Sequence, residues 1–216
     1  MESGAYKVSL TKNPTVSISV MPGHFTTGNL HVSHYLDVSD LKANALVARN
    51  VARELAIPYV SSTLVDTIVC MERTDVIGAY LAEELLQEGT QVMNSGGEIH
   101  VVTPINSSGG KLIFFDNEVD WITNRHILVL FATISSGKTM RGVLECLAYY
   151  GGIVSGISSL FLSSAEAFEP EIHALFTTED IPEYRMLSPG GCDMCKEGRR
   201  LDAIISSEGY TKIPNQ

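Results

Sequence analysis

The chain has 216 residues, of which 44% are hydrophobic and 19% charged, so one full-sized core can form and wholesale disorder is excluded. The net charge of −10, from 15 basic and 25 acidic residues, opposes binding to nucleic acid or to anionic membranes. No apolar stretch reaches the roughly 18 residues of a membrane span, and the N-terminal segment lacks a signal-peptide pattern. We therefore expect a cytoplasmic protein with no nucleic-acid or membrane partner.

Short apolar runs alternate with helical patterns along the whole chain. This alternation predicts an α/β fold, with a mostly parallel sheet flanked by helices, in a single domain over residues 1–216. The polar segment 24–37 predicts a loop or a hairpin. Apolar spacing over residues 41–55 predicts one helix, with Ser39 or Asp40 as its cap.

Further along the chain, residues 67–71 predict a short buried strand, and Asp75 is placed to cap the helix that follows it. The run ILVLF at 127–131 is continuous and apolar, as expected of a central strand in a parallel sheet. Additional strands are predicted within 99–104, 112–115, 153–162 and 172–176.

Residues 127–147 form the most informative segment, which reads as a strand, a tight polar loop and a helix. Backbone N–H groups in such a loop, together with a helix N-terminus, favour an anion. The residues that could hold a phosphate are Thr133, Ser135, Ser136, Gly137, Lys138 and Thr139. A plain strand–helix turn is the simpler alternative, but turn chemistry alone rarely places two Ser, Gly, Lys and Thr in a row.

The same stretch, ATISSGKT at 132–139, also fits a loose form of the P-loop nucleotidase pattern, with Ala132 in place of the first glycine. The loop of those proteins normally follows the first strand, and a later apolar strand ends in an Asp that holds the metal. Here several strand–helix units precede the loop, and no later apolar run ends in Asp. A P-loop nucleotidase is therefore a remote alternative.

Four motifs occur in one order along the chain: 23–37, 66–85, 99–115 and 127–139. In this order they resemble the type I phosphoribosyltransferases, above all the orotate enzymes. The first is similar to the family's N-terminal hood segment, and the second to its first core strand, diphosphate loop and following helix. The third stands at the mobile catalytic loop, and the fourth at the strand and loop that hold the ribose 5′-phosphate.

The resemblance implies a fold with hood segments at about 1–37 and 181–216, and a homodimer. It also implies transfer of a phosphoribosyl group from phosphoribosyl diphosphate to a nucleobase with Mg²⁺, so that a phosphorylated ribose or nucleotide is the expected ligand. The residues at the family's diphosphate loop are Glu72, Arg73 and Thr74. Arg73, and Lys111 in the mobile loop, are the candidate catalytic cations.

The sequence departs from the family at the two adjacent acids that precede the phosphate loop, where Phe131 and Ala132 stand. In the family these carboxylates hold the ribose hydroxyls. Losing one well-placed electrostatic group can cost about a hundred- to a thousandfold in rate. Glu72 and Asp75 are candidates to replace the lost carboxylates around Mg²⁺. Two hypotheses stay open, namely a phosphoribosyltransferase with an altered site, and a non-catalytic phosphate- or nucleotide-binding or regulatory protein.

Cys192 and Cys195 have the spacing of half a zinc knuckle. His173, or the same cysteine pair of a twin subunit, could complete a zinc site, and two free thiols in a surface turn are the alternative. His31 and His34 lie three apart in a polar segment, where we expect them to be solvated rather than metal ligands.

Overall fold

A computed structural model describes residues 4–89, 91–107, 111–164, 168–206 and 209–214. The strands are β1 (Tyr6–Ser9), β2 (Ser17–Thr26), β3 (His31–Asp37), β4 (Thr67–Cys70), β5 (His100–Val102), β6 (Ile105–Asn106), β7 (Leu112–Ile113), β8 (His126–Ile134), β9 (Ile153–Leu162), β10 (Ile172–Thr177), β11 (Met186–Leu187), β12 (Ala203–Ser206) and β13 (Gly209–Lys212). The helices are α1 (Ser39–Ala43), α2 (Ala45–Ala56), α3 (Asp75–Leu85), α4 (Lys138–Tyr149) and α5 (Asp193–Lys196). None of the helices in these described ranges is long and apolar enough to cross a membrane.

The core sheet has five parallel strands in the order β10-β9-β8-β4-β5. Its central strand is β8, in which residues 127–131 are fully buried. A strand covered on both faces excludes water from both sets of side chains, which explains the continuous apolar run. The predicted parallel sheet and its central strand are therefore confirmed.

Helices cover the two faces of the core sheet, and each face has its own apolar cluster. Leu130 points into the cluster that holds α2 and α3. Phe131, its neighbour in β8, points into the cluster that holds α4. Adjacent strand residues face opposite sides, so this split follows from the two-residue period of the strand. Fully burying a side chain of this size contributes about 1.5–3 kcal/mol.

The crossovers from β4 and β8 lead in opposite directions across the core sheet. The connection through α3 leads from β4 to β5 at one edge, and the connection through α4 leads from β8 to β9 on the other side. The crevice between the carboxyl ends of β4 and β8 is therefore a topological switch point, the place where open parallel sheets bind ligands.

A second sheet, which we call the hood sheet, is built from both ends of the chain. Its strand order is β11-β3-β2-β12-β13, and β1 pairs with the first half of β2. The β2–β3 pair is antiparallel and is interrupted by a register shift between Pro22 and Phe25. Segment 24–37 thus belongs to a hairpin, one of its two predicted alternatives.

The predicted single helix over 41–55 is two helices, because Asn44 interrupts it. Asn44 has an extended backbone, with φ −88° and ψ 110°, and its side chain accepts hydrogen bonds from two N–H groups in the first turn of α2. Asparagine is a strong N-cap residue, so it starts a new helix although the apolar spacing continues across it. The predicted caps Ser39 and Asp40 are wrong, since Val38 occupies the N-cap of α1.

Candidate functional site

The loop after β8 consists of three residues, Ser135, Ser136 and Gly137, before α4 begins at Lys138. Gly137 has φ 68°, and a Cβ at this buried position would lie 3.1 Å from the ring of Phe168. The turn therefore strongly favours glycine. As the N-cap residue of α4, Gly137 provides no side-chain cap. The first N–H groups of α4 therefore lack the partner that a capping side chain would give them.

This loop lines a groove that we call the phosphate cleft. Its lining residues are Glu72, Phe131, Thr133, Ile134, Ser135, Ser136, Gly137, Lys138, Thr139 and Met140. The structure thus brings together all six residues predicted to hold a phosphate. Ser136, Lys138 and Thr139 are exposed to solvent at the start of α4, where the helix dipole favours an anion.

The P-loop alternative does not describe the local structure. Ala132 and Thr133, the first two residues of the matching pattern, lie inside β8 rather than in a loop. Only residues 135–137 separate the strand from α4, so the nucleotidase pattern lacks the extended loop that would wrap around a polyphosphate.

The turn after β4 has an unusual backbone. Glu72 and Arg73 have φ values of 56° and 62°, so two consecutive residues other than glycine are in the left-handed region. Each such residue costs on the order of 1–2 kcal/mol. Buried Thr74 supports the turn from beneath, with its hydroxyl donating to the Met71 carbonyl oxygen at 2.8 Å. Strain of this kind persists where the surrounding structure enforces it, and it is concentrated at functional sites.

The Glu72 side chain bridges the two loops of the switch point. Oε2 of this side chain accepts a hydrogen bond from the backbone N–H of Thr133 at 2.9 Å. The backbone carbonyl oxygen of Glu72 accepts a further hydrogen bond from Lys42 Nζ at 3.0 Å. Burial raises the pKa of Glu72, while the Thr133 N–H and the Lys42 charge act in the opposite direction. A carboxylate from the neighbouring strand end thus lies beside Ala132, where the resemblance would place an acid.

Asp75 differs from its predicted role. The N-cap of α3 is Thr74, and Asp75 is the first residue of the helix, so the predicted cap is wrong by one position. The Asp75 carboxylate accepts a hydrogen bond from the hydroxyl of Thr103. Of the two acids proposed to replace the missing pair, Glu72 is the one that lines the phosphate cleft.

A second groove, which we call the hood cleft, adjoins the phosphate cleft between the core and hood sheets. It is lined by Tyr35, Leu36, Val38, Ser39, Lys42, Glu72, Ala132, Thr133, Ile205, Ser206 and Gly209. Glu72 and Thr133 line both clefts. Burial raises the pKa of Tyr35 to about 12, so its hydroxyl stays protonated at neutral pH. The segment that carries β12 and β13 forms one wall of this cleft.

The predicted catalytic Lys111 lies at the start of the returning arm of the small β6–β7 hairpin. Its side chain is exposed and lines neither cleft, while its carbonyl oxygen accepts a hydrogen bond from the N–H of Ser107 at 2.8 Å. The adjoining residues 108–110 lie outside the described residues. A catalytic role of Lys111 therefore stays a prediction.

Comparison with protein-family models and with the curated proteins found no match. Among solved structures, UMP synthase from Leishmania donovani is similar with a TM-score of 0.55 and 19% identity, over 76% of this chain and 34% of that one. A phosphoribosyltransferase from Corynebacterium diphtheriae is similar with a TM-score of 0.50 and 16% identity, over 75% of this chain and 90% of that one. The protein has the type I phosphoribosyltransferase fold.

The chain spans about a third of the length of UMP synthase, as the 34% coverage shows, and most of the length of the Corynebacterium protein. At these identities the likeness establishes the fold. The predicted fold class is therefore confirmed. Within this phosphoribosyltransferase fold, the two clefts lie where β4 and β8 end.

A cluster of four potential metal ligands lies in the hood of the phosphoribosyltransferase fold. The ligand atoms of His24, His31, Cys192 and Cys195 lie within 4.8 Å of one another. His24 Nε2 is 3.1 Å from His31 Nδ1, 3.5 Å from Cys192 Sγ and 3.7 Å from Cys195 Sγ. His31 Nδ1 is 3.3 Å from Cys195 Sγ. The predicted cysteine pair thus finds two histidine partners in its own chain.

Two expectations about histidines are wrong, namely that His173 could complete the zinc site and that His31 and His34 are solvated. His173 does not complete the cluster, because it lies in β10 of the core sheet, where its ring packs edge-to-face on Tyr59 at 5.3 Å. His31 is not solvated, because pairing of β2 with β3 buries it to 8% exposure. His34 is buried too, but its Nδ1 lies 2.8 Å from the Ser33 hydroxyl, away from the cysteines.

Sequence reasoning did not identify His24 as a ligand. It precedes the turn of the β2–β3 hairpin, while His31 follows the turn. Two histidines on the two arms of one hairpin could have indicated a shared site. The register shift beside His24 is signalled in the sequence only by Pro22 and Gly23, residue types that are common at strand irregularities.

Proposed function

We propose that this protein binds a phosphorylated ribose compound, such as a nucleotide or phosphoribosyl diphosphate. The main observation behind this proposal is the phosphate cleft at the switch point. It combines a three-residue loop, the N-terminus of α4 without a side-chain cap and the charge of Lys138. A phosphate gains hydrogen bonds from the backbone and a favourable interaction with the helix dipole at such a place. The 5′-phosphate would lie against residues 135–139.

The adjoining hood cleft supports the same proposal, because it can take the rest of such a ligand. Glu72 lies at the junction of the two clefts and can accept hydrogen bonds from ribose hydroxyls. Tyr35, Ser39 and Lys42 offer polar contacts to a heterocyclic base beyond it. A homodimer and a cytoplasmic location stay predictions from the resemblance and the composition.

Gly137→Ala is expected to weaken the binding of ribose 5-phosphate or a nucleotide at least about tenfold, or by about 1.4 kcal/mol. The substitution strains a left-handed backbone position and pushes the loop against Phe168. Calorimetric titration measures the change. Gly142→Ala is the matched control, since a Cβ at Gly142 in the same helix meets nothing within 4 Å, so its affinity should equal that of the parent. Equal affinity in Gly137→Ala would contradict the placement of the phosphate.

Phosphoribosyl transfer is a second candidate function, favoured by the Glu72 carboxylate beside Ala132. The donor set suits Mg²⁺, since that ion binds through one or two carboxylates together with substrate phosphates, and Glu72 is the only carboxylate among the described residues lining the clefts. When bound, Mg²⁺ would neutralise the charge of a leaving diphosphate. Glu72 itself would hold the ribose in place.

The test is incubation with phosphoribosyl diphosphate, Mg²⁺ and a panel of nucleobases that includes orotate. Release of diphosphate in the presence of one base is the result expected of an enzyme. Binding of phosphoribosyl diphosphate without release across the panel would instead support a binding or regulatory protein.

A further inference from the structure

We propose that His24, His31, Cys192 and Cys195 bind a structural Zn²⁺ that fastens the C-terminal segment over the hood cleft. Two cysteines and two histidines are one of the common donor sets of structural zinc sites. The four ligands come from three places in the chain, namely β2, β3 and α5, where Cys192 is the N-cap and Cys195 lies within the helix. The zinc site does not depend on the proposed function, since no residue of the cluster lines either cleft.

The distances within the cluster fit a tetrahedral zinc. With Zn–N near 2.05 Å and Zn–S near 2.3 Å, the edges of the tetrahedron are about 3.4 Å between two nitrogens and about 3.6 Å between nitrogen and sulfur. The observed distance between the two nitrogens is 3.1 Å. Three of the four nitrogen–sulfur distances are 3.3, 3.5 and 3.7 Å, and all four ligand atoms lie within 4.8 Å of one another. An ion fits between these atoms with small adjustments.

A hydrogen bond at Nδ1 of His24 orients the ring so that the lone pair of Nε2 faces the cluster. His24 Nδ1 lies 2.8 Å from the backbone carbonyl oxygen of Arg199, which can only accept. Nδ1 must therefore carry the hydrogen, which leaves a lone pair on Nε2 of the neutral ring, the atom that faces both sulfurs. Metal-binding histidines typically have such a backbone carbonyl behind them, because it fixes the tautomer and the ring orientation.

The surroundings hold His24 rigidly in this position. Its backbone N–H donates to the Asp202 carboxylate at 2.7 Å, and its carbonyl oxygen accepts from the Asp202 N–H at 2.7 Å. His24 and Cys192 are fully buried, while Cys195 is exposed and provides an entry path for the ion. Without a metal, two thiols and two imidazoles would share only weak mutual hydrogen bonds in this interior.

The zinc would strengthen the attachment of the C-terminal segment to β2, which otherwise consists of hydrogen bonds of His24 with Arg199 and Asp202 and a short strand pairing. The C-terminal strand β12 pairs with β2 at only two positions, Phe25 and Thr26. The same segment supplies Ile205, Ser206 and Gly209 to the wall of the hood cleft. Structural zinc contributes folding energy directly, so its removal should loosen this wall first.

Metal analysis of the full chain, purified without chelator, is expected to find one zinc per chain. His24→Ala and Cys192→Ser should each lower the zinc content to below a tenth of this value. Cys146→Ser is the matched control, since Cys146 lies in α4 outside the cluster and should leave the zinc content unchanged. Cobalt substitution of the parent chain should give the visible absorption of a tetrahedral thiolate site, a readout that needs no variant to fold.

Proteolysis tests the role of the metal. Chelation should open the segment after Gly198 to limited proteolysis and lower the melting temperature, and added Zn²⁺ should reverse both effects. Absence of zinc from the purified protein, together with no cobalt spectrum, would overturn the site and leave a hydrogen-bonded cluster. Unchanged protease resistance after zinc removal would overturn its fastening role. Neither result depends on phosphate binding, whose failure would appear only in the ligand titrations.

Discussion

Phe131→Ala is expected to lower the free energy of unfolding by about 3–5 kcal/mol, which is a large part of the stability of a domain. Phe131 is fully buried in β8, in the apolar cluster that also holds Met140 and Val143 of α4. Truncation would remove the contacts of a whole ring and leave a cavity between sheet and helix. Urea denaturation followed by circular dichroism measures the change.

The matched control is Phe115→Ala, because the Phe115 side chain is 53% exposed. Its free energy of unfolding should stay within about 0.5 kcal/mol of the parent value. Similar losses in both variants would contradict the burial of Phe131. For the same reason, Phe131→Asp should not restore an acid to the site, since it would place an unpaired carboxylate in the core.

Glu72→Gln is expected to reduce phosphoribosyl transfer, where transfer is present, by about a hundred- to a thousandfold while making the protein more stable at neutral pH. Glutamine can still accept the hydrogen bond from the Thr133 N–H, so the turn keeps its shape while the charge is lost. Binding of a ribose phosphate should weaken as well, since an amide oxygen is a poorer acceptor for ribose hydroxyls than a carboxylate.

The gain in stability follows from the pKa shift of Glu72. Burial raises the pKa of Glu72 above its ordinary value of 4.5, so the folded protein holds this proton more tightly than the unfolded chain does. The contribution of Glu72 to stability therefore falls as the pH rises above 4.5 and through the raised pKa of the folded state. Glutamine does not ionise, so the variant does not lose this stability as the pH rises.

Thermal melts of parent and variant between pH 4 and 8 measure the difference. The melting temperature of Glu72→Gln should exceed that of the parent increasingly as the pH rises. Glu88→Gln is the control, because Glu88 is exposed and its substitution should leave the pH profile unchanged. Parallel profiles for Glu72→Gln and the parent would show that burial imposes no cost on the Glu72 charge.

The parts of the fold that are visible in the sequence are those set by neighbours in the chain. A continuous apolar run predicts a strand buried on both faces, and β8 is such a strand. The phosphate loop is also local, because Ser135, Ser136 and Gly137 adjoin in sequence and in space. Asn44 is a local signal too, but the apolar periodicity that continues on both sides of it predicts one helix instead of two.

The parts that the sequence does not reveal depend on contacts between distant residues. His24 meets Cys192 across 168 positions of the chain. Pro22 and Gly23 mark an irregularity beside His24, but they do not indicate which distant residues it meets. The contact of Glu72 with the Thr133 N–H depends on two left-handed residues, neither of which is glycine. Local propensity argues against that backbone, so only the packed structure shows that Glu72 lies where the acidic pair is missing.

The hood sheet joins strands from distant parts of the chain, which gives the two clefts an order of assembly. All five core strands and the phosphate loop are complete once residue 177 has been made. The hood cleft needs Ile205 and Gly209 as well, and these residues are synthesised after the core strands. During translation, a chain can therefore build the phosphate cleft first, and the enclosing wall closes only after β12 has paired with β2.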